Sequence, residues 1–230
     1  MTLPDQPKPG SKGRRRGGPL RIGRPQIIAA ARNLDPRNVT MQAVADELGV
    51  DRKALNYHVT DREGLLRLIA TDAFETHFSR VEITSESSWQ NAIRAWAVGV
   101  RDSMVATGVL AHYYRIQGED LSVLRPATVV LERMLAGGFD ATAAGRGLIF
   151  VTNFAMGVGR DIVLHQQPDG HPQASELRRA LAAHADEGGY EALRDLALAG
   201  LNDHDDVQAQ FDFEVDIFIR GMEQRLLDRA

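Results

Sequence analysis

The sequence predicts an all-α protein with a short N-terminal helical unit and a larger helical domain behind it. Two observations support this prediction. The alternation of apolar and polar residues that marks half-buried strands is almost absent, and Ala, Leu, Arg and Glu dominate. Apolar residues instead recur every three to four positions, as on the buried face of a helix. The 230 residues are enough to bury a substantial core.

Charge is distributed unevenly along the chain. The net charge is −4, yet residues 1–25 hold seven Lys and Arg against Asp5 alone, so a basic arm precedes an acidic body. Such an arm either binds an anionic partner or serves as a solvated tail, and charge alone favours neither alternative. Residues 1–20 are rich in Pro, Gly, Lys and Arg, and we predict that they are disordered.

Several classes of protein are disfavoured by the sequence. The absence of cysteine excludes disulfides and thiolate metal sites and fits the reducing cytoplasm. No apolar run reaches the roughly 18–20 residues of a membrane span, and the Arg14–Arg16 run lacks the apolar stretch of a secretory signal. We therefore predict a cytoplasmic protein without a membrane partner.

An enzyme is the least expected class. The His residues show no metalloenzyme spacing such as H-E-x-x-H, and G-x-S-x-G is absent. Gly157-x-Gly159 does not continue into a dinucleotide-binding motif and does not follow a strand. Neither a catalytic site, nor a cofactor, nor a resident metal ion is predicted.

Three short helices follow the arm. The first begins near Pro25, a residue suited to a first helical turn, and ends near Asp35, which precedes a proline. Thr40 is predicted to cap the second helix, and Gly49 ends it shortly before a third helix that begins near Asp51. A turn that contains a glycine between two short helices is the helix-turn-helix pattern.

The third helix carries more polar groups than a short core helix needs. Only Val50, Leu55 and Val59 are required on its inner side. Its remaining side chains are of the kinds that bond to phosphates and base edges, although a helical hairpin with a polar surface is the simpler alternative. The predicted DNA-contacting residues on this helix are Arg52, Lys53, Asn56, Tyr57 and His58.

A fourth helix is predicted from a capping box at residues 60–63. In this motif the Thr60 hydroxyl accepts a hydrogen bond from the backbone amide of Glu63, and the Glu63 carboxylate accepts one from the backbone amide of Thr60. We place a DNA-binding domain at residues 21–68 and a domain for effector binding and dimerisation at 69–230. The larger domain contains a long apolar segment, 141–165, which Asp140 caps, and a final amphipathic helix, 207–227.

Residues 22–70 resemble the DNA-binding domain of the tetracycline-repressor (TetR) family of bacterial regulators. The resemblance rests on VTMQAVADELGVDRKALNYHVTDREGLLRLIA, in which a His-Val pair ends the third helix and T-D-R-E-G-L-L follows. Two later segments, AGGFDATAAGRGLIFVTNFAMGVG and FDFEVDIFIRGMEQRLL, are similar to helices of the tetracycline-repressor branch.

The resemblance implies a homodimer that places both third helices in the major groove of a palindromic operator, with half-sites about 34–36 Å apart. Repression is the default of the family. Asn56 departs from the aromatic residue that many relatives carry, so contacts to adenine and to phosphate both stay open. The implied roles are phosphate contacts by Thr40 and Arg62, base contacts by Arg52 and Lys53, and backbone positioning by Tyr57 and His58.

The resemblance also implies a dimer interface formed by segment 141–165 and the last helix. Both have apolar faces that fit a four-helix bundle, yet both could equally fill the core of a monomer. The apolar residues concerned are Leu148, Phe150, Val151, Phe154 and Val158 on one helix and Val215, Ile217, Phe218, Met222 and Leu226 on the other.

A small-molecule effector in the larger domain is a further implication. We expect a flat, partly apolar molecule such as an antibiotic or natural product, although an aromatic stripe of this kind also fits a plain core. A helical protein that binds an effector or partner without specific DNA binding is the alternative function. The predicted pocket residues are Phe78, Trp96, Val100, Met104, His112, Tyr113, Phe150 and Phe154.

Tetracycline itself is not expected as the effector. Phe78 and Trp96 stand where tetracycline repressors carry a His and an Asn. By resemblance, His112 falls near the metal-contacting His of that branch, and Asp161 falls near the acidic residue that the second subunit supplies, which keeps a drug–magnesium site as a minor alternative.

Overall fold

The computed structural model describes residues 22–115, 124–167, 171–185, 188–198 and 207–228, and every regular element within them is helical, as predicted. The predicted disordered arm at 1–20 lies outside the described residues. Short 3₁₀ segments occupy Pro36–Asn38 and Gly108–Tyr113. The α-helices are α1 Arg24–Arg32, α2 Met41–Leu48, α3 Arg52–Leu55, α4 Arg62–Phe78, α5 Trp89–Thr107, α6 Arg125–Ala136, α7 Ala141–His165, α8 Pro172–Ala183, α9 Glu191–Leu198 and α10 Val207–Leu227.

Helices α1, α2 and α3 pack around the first turns of α4. Ile27, Val44, Leu55 and Leu65 are completely buried, so each helix contributes at least one side chain to a common core. Thr40 caps α2 as predicted, with its Oγ1 accepting the Ala43 amide at 3.0 Å. Gly49 ends α2 at φ 67°, a left-handed conformation that other residues rarely adopt. The glycine thereby fixes the turn that leads into α3.

The start of α4 differs from the predicted capping box. Asp61, not Thr60, is the cap, because its Oδ1 accepts the Gly64 amide at 2.8 Å. Glu63 instead pairs with Arg67 one turn later, at 2.7 Å. A carboxylate at this position binds the amide as a charged acceptor and also favours the positive end of the helix, so it outcompetes the neighbouring hydroxyl.

The third helix is shorter than predicted. Its α-helical part ends at Leu55, and Asn56 to His58 continue as a turn in which the His58 amide donates to Leu55 O at 2.8 Å. Helix α4 is continuous across residues 68 and 69, where the sequence analysis placed the domain boundary. The same helix therefore belongs to both parts of the molecule.

The larger domain is organised around the packing of α5 on α7. Their backbones approach so closely that a Cβ added at Gly159 would lie 2.6 Å from Met104 Cβ. Helix α6 packs on both helices, and α10 lies against α5 and α7. Helices α8 and α9 connect α7 to α10 and contain no fully buried residue among those described. The core therefore sits among α4, α5, α6, α7 and α10.

Helix α7 is long and apolar enough to cross a membrane by length and composition alone. The sequence analysis did not expect such a segment, because small and polar residues interrupt every contiguous apolar run. Ala144, Val151 and Ala155 on one side of α7 are completely buried within the domain. Core helices of folded domains pass the same test, so this property gives little support to a membrane span.

Candidate functional site

A small, exposed polar surface is formed by α3 and the turn behind it. Asp51 caps the helix, with its Oδ1 accepting the Lys53 amide at 2.8 Å, and Leu55 anchors it in the core. We call the exposed side chains of Arg52, Lys53, Asn56 and Tyr57 the α3 surface. The anchoring holds these side chains outward on a rigid support, so they can meet a partner without a change in the fold.

Tyr57 is the most exposed large hydrophobic side chain of the described residues, with 89% of its surface accessible. Its ring therefore contributes almost nothing to the core, and folding alone does not explain it. His58, the next residue, is half-buried beneath the turn. An exposed aromatic ring beside two cations suits contact with a polyanion that also offers apolar sugar or base surfaces.

Thr40 and Arg62 lie at the starts of α2 and α4. Arg62 Nε donates to Val39 O at 3.1 Å, which ties the start of α4 to the start of α2. Both residues are exposed, although each also has a structural role, since the Thr40 hydroxyl caps α2. Of the seven residues for which the sequence predicted a DNA contact, all but the half-buried His58 are thus exposed.

The second feature is a cavity of about 320 Å³ in the larger domain. It lies between α4, α5, α6 and α7, close to the 3₁₀ segment, and its volume is at the low end of the range for ligand sites. Its described lining residues are Phe74, Phe78, Trp96, Val100, Tyr114, Leu124, Ala127, Leu148, Ile149, Thr152, Asn153 and Met156.

Aromatic rings form one wall of the cavity. Phe74 stacks on Tyr114 with ring centroids 4.0 Å apart and on Phe78 at 5.4 Å. Trp96 meets Phe78 edge-on at 5.2 Å. These contacts fix the rings against one another, so the wall is rigid and apolar.

Polar groups at the cavity are few and mostly satisfied. Trp96 Nε1 donates to Thr152 Oγ1 at 2.8 Å, and Thr152 Oγ1 donates to Leu148 O at 2.6 Å. Burial, helped by the negative charge of Glu75, raises the pKa of Tyr114 to about 12. The phenol therefore stays protonated at neutral pH and can act as a neutral hydrogen-bond donor.

Three of the predicted pocket residues, Phe78, Trp96 and Val100, line this cavity, and the remaining five do not. Met104 is completely buried where α5 crosses α7. His112 and Tyr113 contact each other, with ring centroids 3.9 Å apart, and it is the next residue, Tyr114, that lines the cavity. One step along a helix or a 3₁₀ turn rotates a side chain by about 100–120°, which is enough to move it off the cavity.

Phe150 and Phe154 lie on a different side of α7. Phe150 stacks on Phe218 of α10 at 5.3 Å, and Phe154 stacks on Phe211 at 5.6 Å. Their neighbours Thr152 and Asn153 do line the cavity but were not among the predicted pocket residues. The sequence could have indicated these two residues, because they are polar side chains within an otherwise apolar stretch of α7.

The minor drug–magnesium alternative pairs His112 of one subunit with the partner subunit's Asp161, so it stays a prediction. Within one chain, His112 contacts Tyr113, and Asp161 lies beside His171, with Oδ1 and Nε2 3.8 Å apart. Across the described part of the chain, no cluster of three or more His, Asp and Glu side chains is arranged to hold a metal ion.

An exposed apolar face runs along α7 and α10. Phe150, Phe213 and Ile217 are 59%, 58% and 55% exposed, and we call these three residues the α7–α10 face. Leu148 and Val151 on α7, by contrast, are buried. Phe211 and Val215 on α10 are buried as well, so each helix fills the core of this chain with one side and exposes another, and the dimer interface stays a prediction.

Comparison with known proteins gives a consistent picture of the fold. No family model matches the chain. A possible TetR-family transcriptional regulator from Streptomyces coelicolor has a TM-score of 0.71 at 22% identity, over 87% of this chain and 98% of its own. ActR from the same organism, in complex with actinorhodin, has a TM-score of 0.68 at 19% identity, over 92% and 100%. TetR from Acinetobacter baumannii has a TM-score of 0.61 at 22% identity, over 89% and 98%. The chain has the all-helical fold of the TetR-family regulators.

Proposed function

We propose that this protein is a homodimeric, sequence-specific DNA-binding regulator of transcription in the cytoplasm. It acts as a repressor, binding a palindromic operator and releasing it when a small apolar effector occupies the cavity. The observation that carries this proposal is the double role of α4, which contributes both to the core beneath α3 and to the cavity wall.

Helix α4 provides a direct mechanical link between the two features. Leu65 and Leu66 are buried in the core that supports the α3 surface, and Phe74 and Phe78 line the cavity. Leu66 and Phe74 are separated by about 12 Å of continuous helix, at 1.5 Å per residue. A ligand that displaces either ring shifts α4 and thus the α3 surface. The effector must bind the shifted state more tightly, since only differential affinity moves the equilibrium.

The α3 surface supplies the chemistry for DNA. Arg52 and Lys53 reach base edges, with Arg52 suited to a bidentate contact with guanine. Tyr57 and His58 position the DNA backbone, Thr40 and Arg62 contact phosphates, and Asn56 contacts either adenine or a phosphate. The basic arm at residues 1–20 adds sequence-independent affinity by tracking phosphates or entering the minor groove.

A palindromic operator requires two copies of α3 with fixed spacing. The α7–α10 face offers an apolar surface that a second copy of the chain would cover, and a two-fold axis through it would pair the subunits symmetrically. Small-molecule effectors are supported by the similar structures, since ActR was solved with actinorhodin and a TetR variant from Acinetobacter baumannii with minocycline.

Selection of bound duplexes from a random DNA library tests this function. The wild-type protein is expected to enrich a palindrome, and an Arg52→Ala, Asn56→Ala variant is expected to lose or blur it. Loss of a bidentate guanine contact costs about 1–3 kcal/mol and relaxes specificity at one position of each half-site.

Arg80→Ala is the matched control, because Arg80 is an exposed cation just beyond α4, away from the α3 surface. It should recover the same palindrome as wild type. A folded dimer that enriches no motif at low salt would contradict the proposal and favour the alternative, a helical protein that binds an effector or partner without specific DNA binding.

A further inference from the structure

The cavity wall carries no formal charge over the part that the structure describes. Its lining side chains are aromatic, aliphatic, hydroxyl or amide, and none is Asp, Glu, Lys, Arg or His. Tyr114 adds no charge at neutral pH, because burial keeps its phenol protonated. A ligand that brought a charge against this wall would lose hydration without gaining a counter-charge. The part of the wall that the structure describes thus selects against ions of either sign.

A cation has one alternative means of binding, which is contact with aromatic faces. A cation would have to offset its lost hydration through the ring faces alone, because no described lining side chain carries a negative charge. Phe74 stacks on Phe78 and on Tyr114, and the Trp96 ring meets Phe78 edge-on, so the wall already consists of paired aromatic rings. A flat aromatic ligand can extend this stack without losing the hydration of a charge.

One side-chain amide borders the cavity among the described residues, and it belongs to Asn153. The indole of Trp96 and the hydroxyl of Thr152 already bond to protein groups. The side chain of Asn153 makes no hydrogen bond within the described part of the chain, and it is exposed where it borders the cavity beside Ile149. Its amide is therefore the group that can exchange water for a polar edge of a ligand.

We propose that the effector is an uncharged, flat aromatic molecule of about two or three fused rings, whose carbonyl or hydroxyl edge hydrogen-bonds the side-chain amide of Asn153. The stated size follows from the cavity of about 320 Å³, near the lower limit for ligand sites. Asn153 is then the residue that determines specificity for the polar edge, while the aromatic wall selects the ring system. This inference rests on the proposed function, since it names the ligand class of the same cavity.

Calorimetry on the full chain with one ring system and four substituents tests the inference. The probes are 2-naphthamide, 2-methylnaphthalene, 2-naphthoate and (2-naphthyl)methylammonium. We expect 2-naphthamide to bind most tightly. The methyl probe, which lacks the hydrogen-bonding edge, should bind about five- to tenfold more weakly, and both ions at least about a hundredfold more weakly.

Asn153→Leu assigns the polar contact. It should abolish the preference for 2-naphthamide over 2-methylnaphthalene while leaving affinity for the methyl probe within about twofold of wild type. Asn91→Leu is the matched control, because Asn91 is an exposed asparagine on α5 outside the cavity lining, and it should retain the preference. Retained binding of the methyl probe shows that the Asn153 variant is folded.

Three results would overturn the inference: equal binding of the charged and neutral probes, an unchanged amide preference in Asn153→Leu, or no binding by any probe. The DNA selection uses no effector, so it tests the proposed function independently of these binding measurements. A protein that selects a palindrome but binds 2-naphthoate as tightly as 2-naphthamide keeps its function and loses this ligand class.

Discussion

The α3 surface and the cavity are opposite in chemistry, although α4 joins them. The α3 surface presents Arg52 and Lys53 to solvent on a helix of only one turn. The cavity encloses stacked rings such as Phe74 and Tyr114, and no described side chain in its wall is ionic. In the proposed function, the first therefore binds a polyanion through long-range electrostatics, and the second recognises the shape and apolar area of an effector. The difference predicts that the two binding reactions respond to different conditions.

Salt should separate the two reactions by the widest margin. Raising salt from 50 to 200 mM is expected to weaken operator binding by about 10³- to 10⁵-fold if the dimer makes the usual six to ten phosphate contacts, because bound counterions are released. Binding of 2-naphthamide in the cavity should change by less than about twofold, since the ligand and the described wall carry no charge. Fluorescence anisotropy and calorimetry across the salt series provide the two slopes. If the affinity for DNA depended only weakly on salt, or the affinity for 2-naphthamide depended strongly on it, the predicted difference between the two regions would be contradicted.

Breaking the polar contact behind the aromatic wall should produce the next largest effect. Thr152→Val leaves buried Trp96 Nε1 without its acceptor, so we expect the free energy of unfolding to fall by about 1–3 kcal/mol. Urea denaturation measures this change. Thr128→Val is the control, because Thr128 is exposed and bonds weakly to Leu124 O at 3.5 Å. The salt slope of DNA binding should be the same in both variants, and equal stabilities would show that the Trp96 contact is unimportant.

Alkaline pH should reveal the burial of Tyr114 with a smaller effect. Its pKa is raised to about 12 in the folded protein from an ordinary value near 10. The unfolded chain therefore loses this proton first, so the contribution of Tyr114 to stability is complete below about pH 10 and is lost as pH rises towards 12. Tyr114→Phe should flatten the stability curve in that window, whereas Tyr57→Phe, at an exposed tyrosine of the α3 surface, should follow wild type. Denaturation between pH 9 and 12 checks this, and parallel curves for Tyr114→Phe and wild type would contradict it.

Much of the N-terminal unit could be predicted because its signals are local. The Thr40 cap and the Gly49 turn each depend on a few neighbouring residues, and they fix where α3 begins. The cap of α4 was misplaced by one residue. Thr60 begins the Thr-x-x-Glu pattern that is typical of a capping box, but the adjacent Asp61 is the stronger capping residue and is the one that caps the helix.

The cavity was harder to predict because its walls come together only in three dimensions. Leu148, Ile149 and Phe150 are consecutive and apolar. Leu148 and Ile149 both border the cavity, the first buried and the second exposed, whereas Phe150 lies on the α7–α10 face. Hydrophobicity alone cannot orient a helix that is apolar on most sides. Tyr114 follows a 3₁₀ segment, and α-helical periodicity does not predict which way a side chain faces there.

The coupling between the two regions is the central claim, and reciprocal titration tests it most directly. Operator affinity is measured with and without saturating 2-naphthamide, and the affinity for 2-naphthamide is measured with and without saturating operator. Linkage requires the two ratios to be equal, and we expect both to be about tenfold or greater, in the direction of mutual exclusion. An operator affinity that is unchanged by an effector shown to bind the cavity would contradict the account, because α4 would then transmit nothing between the cavity and α3.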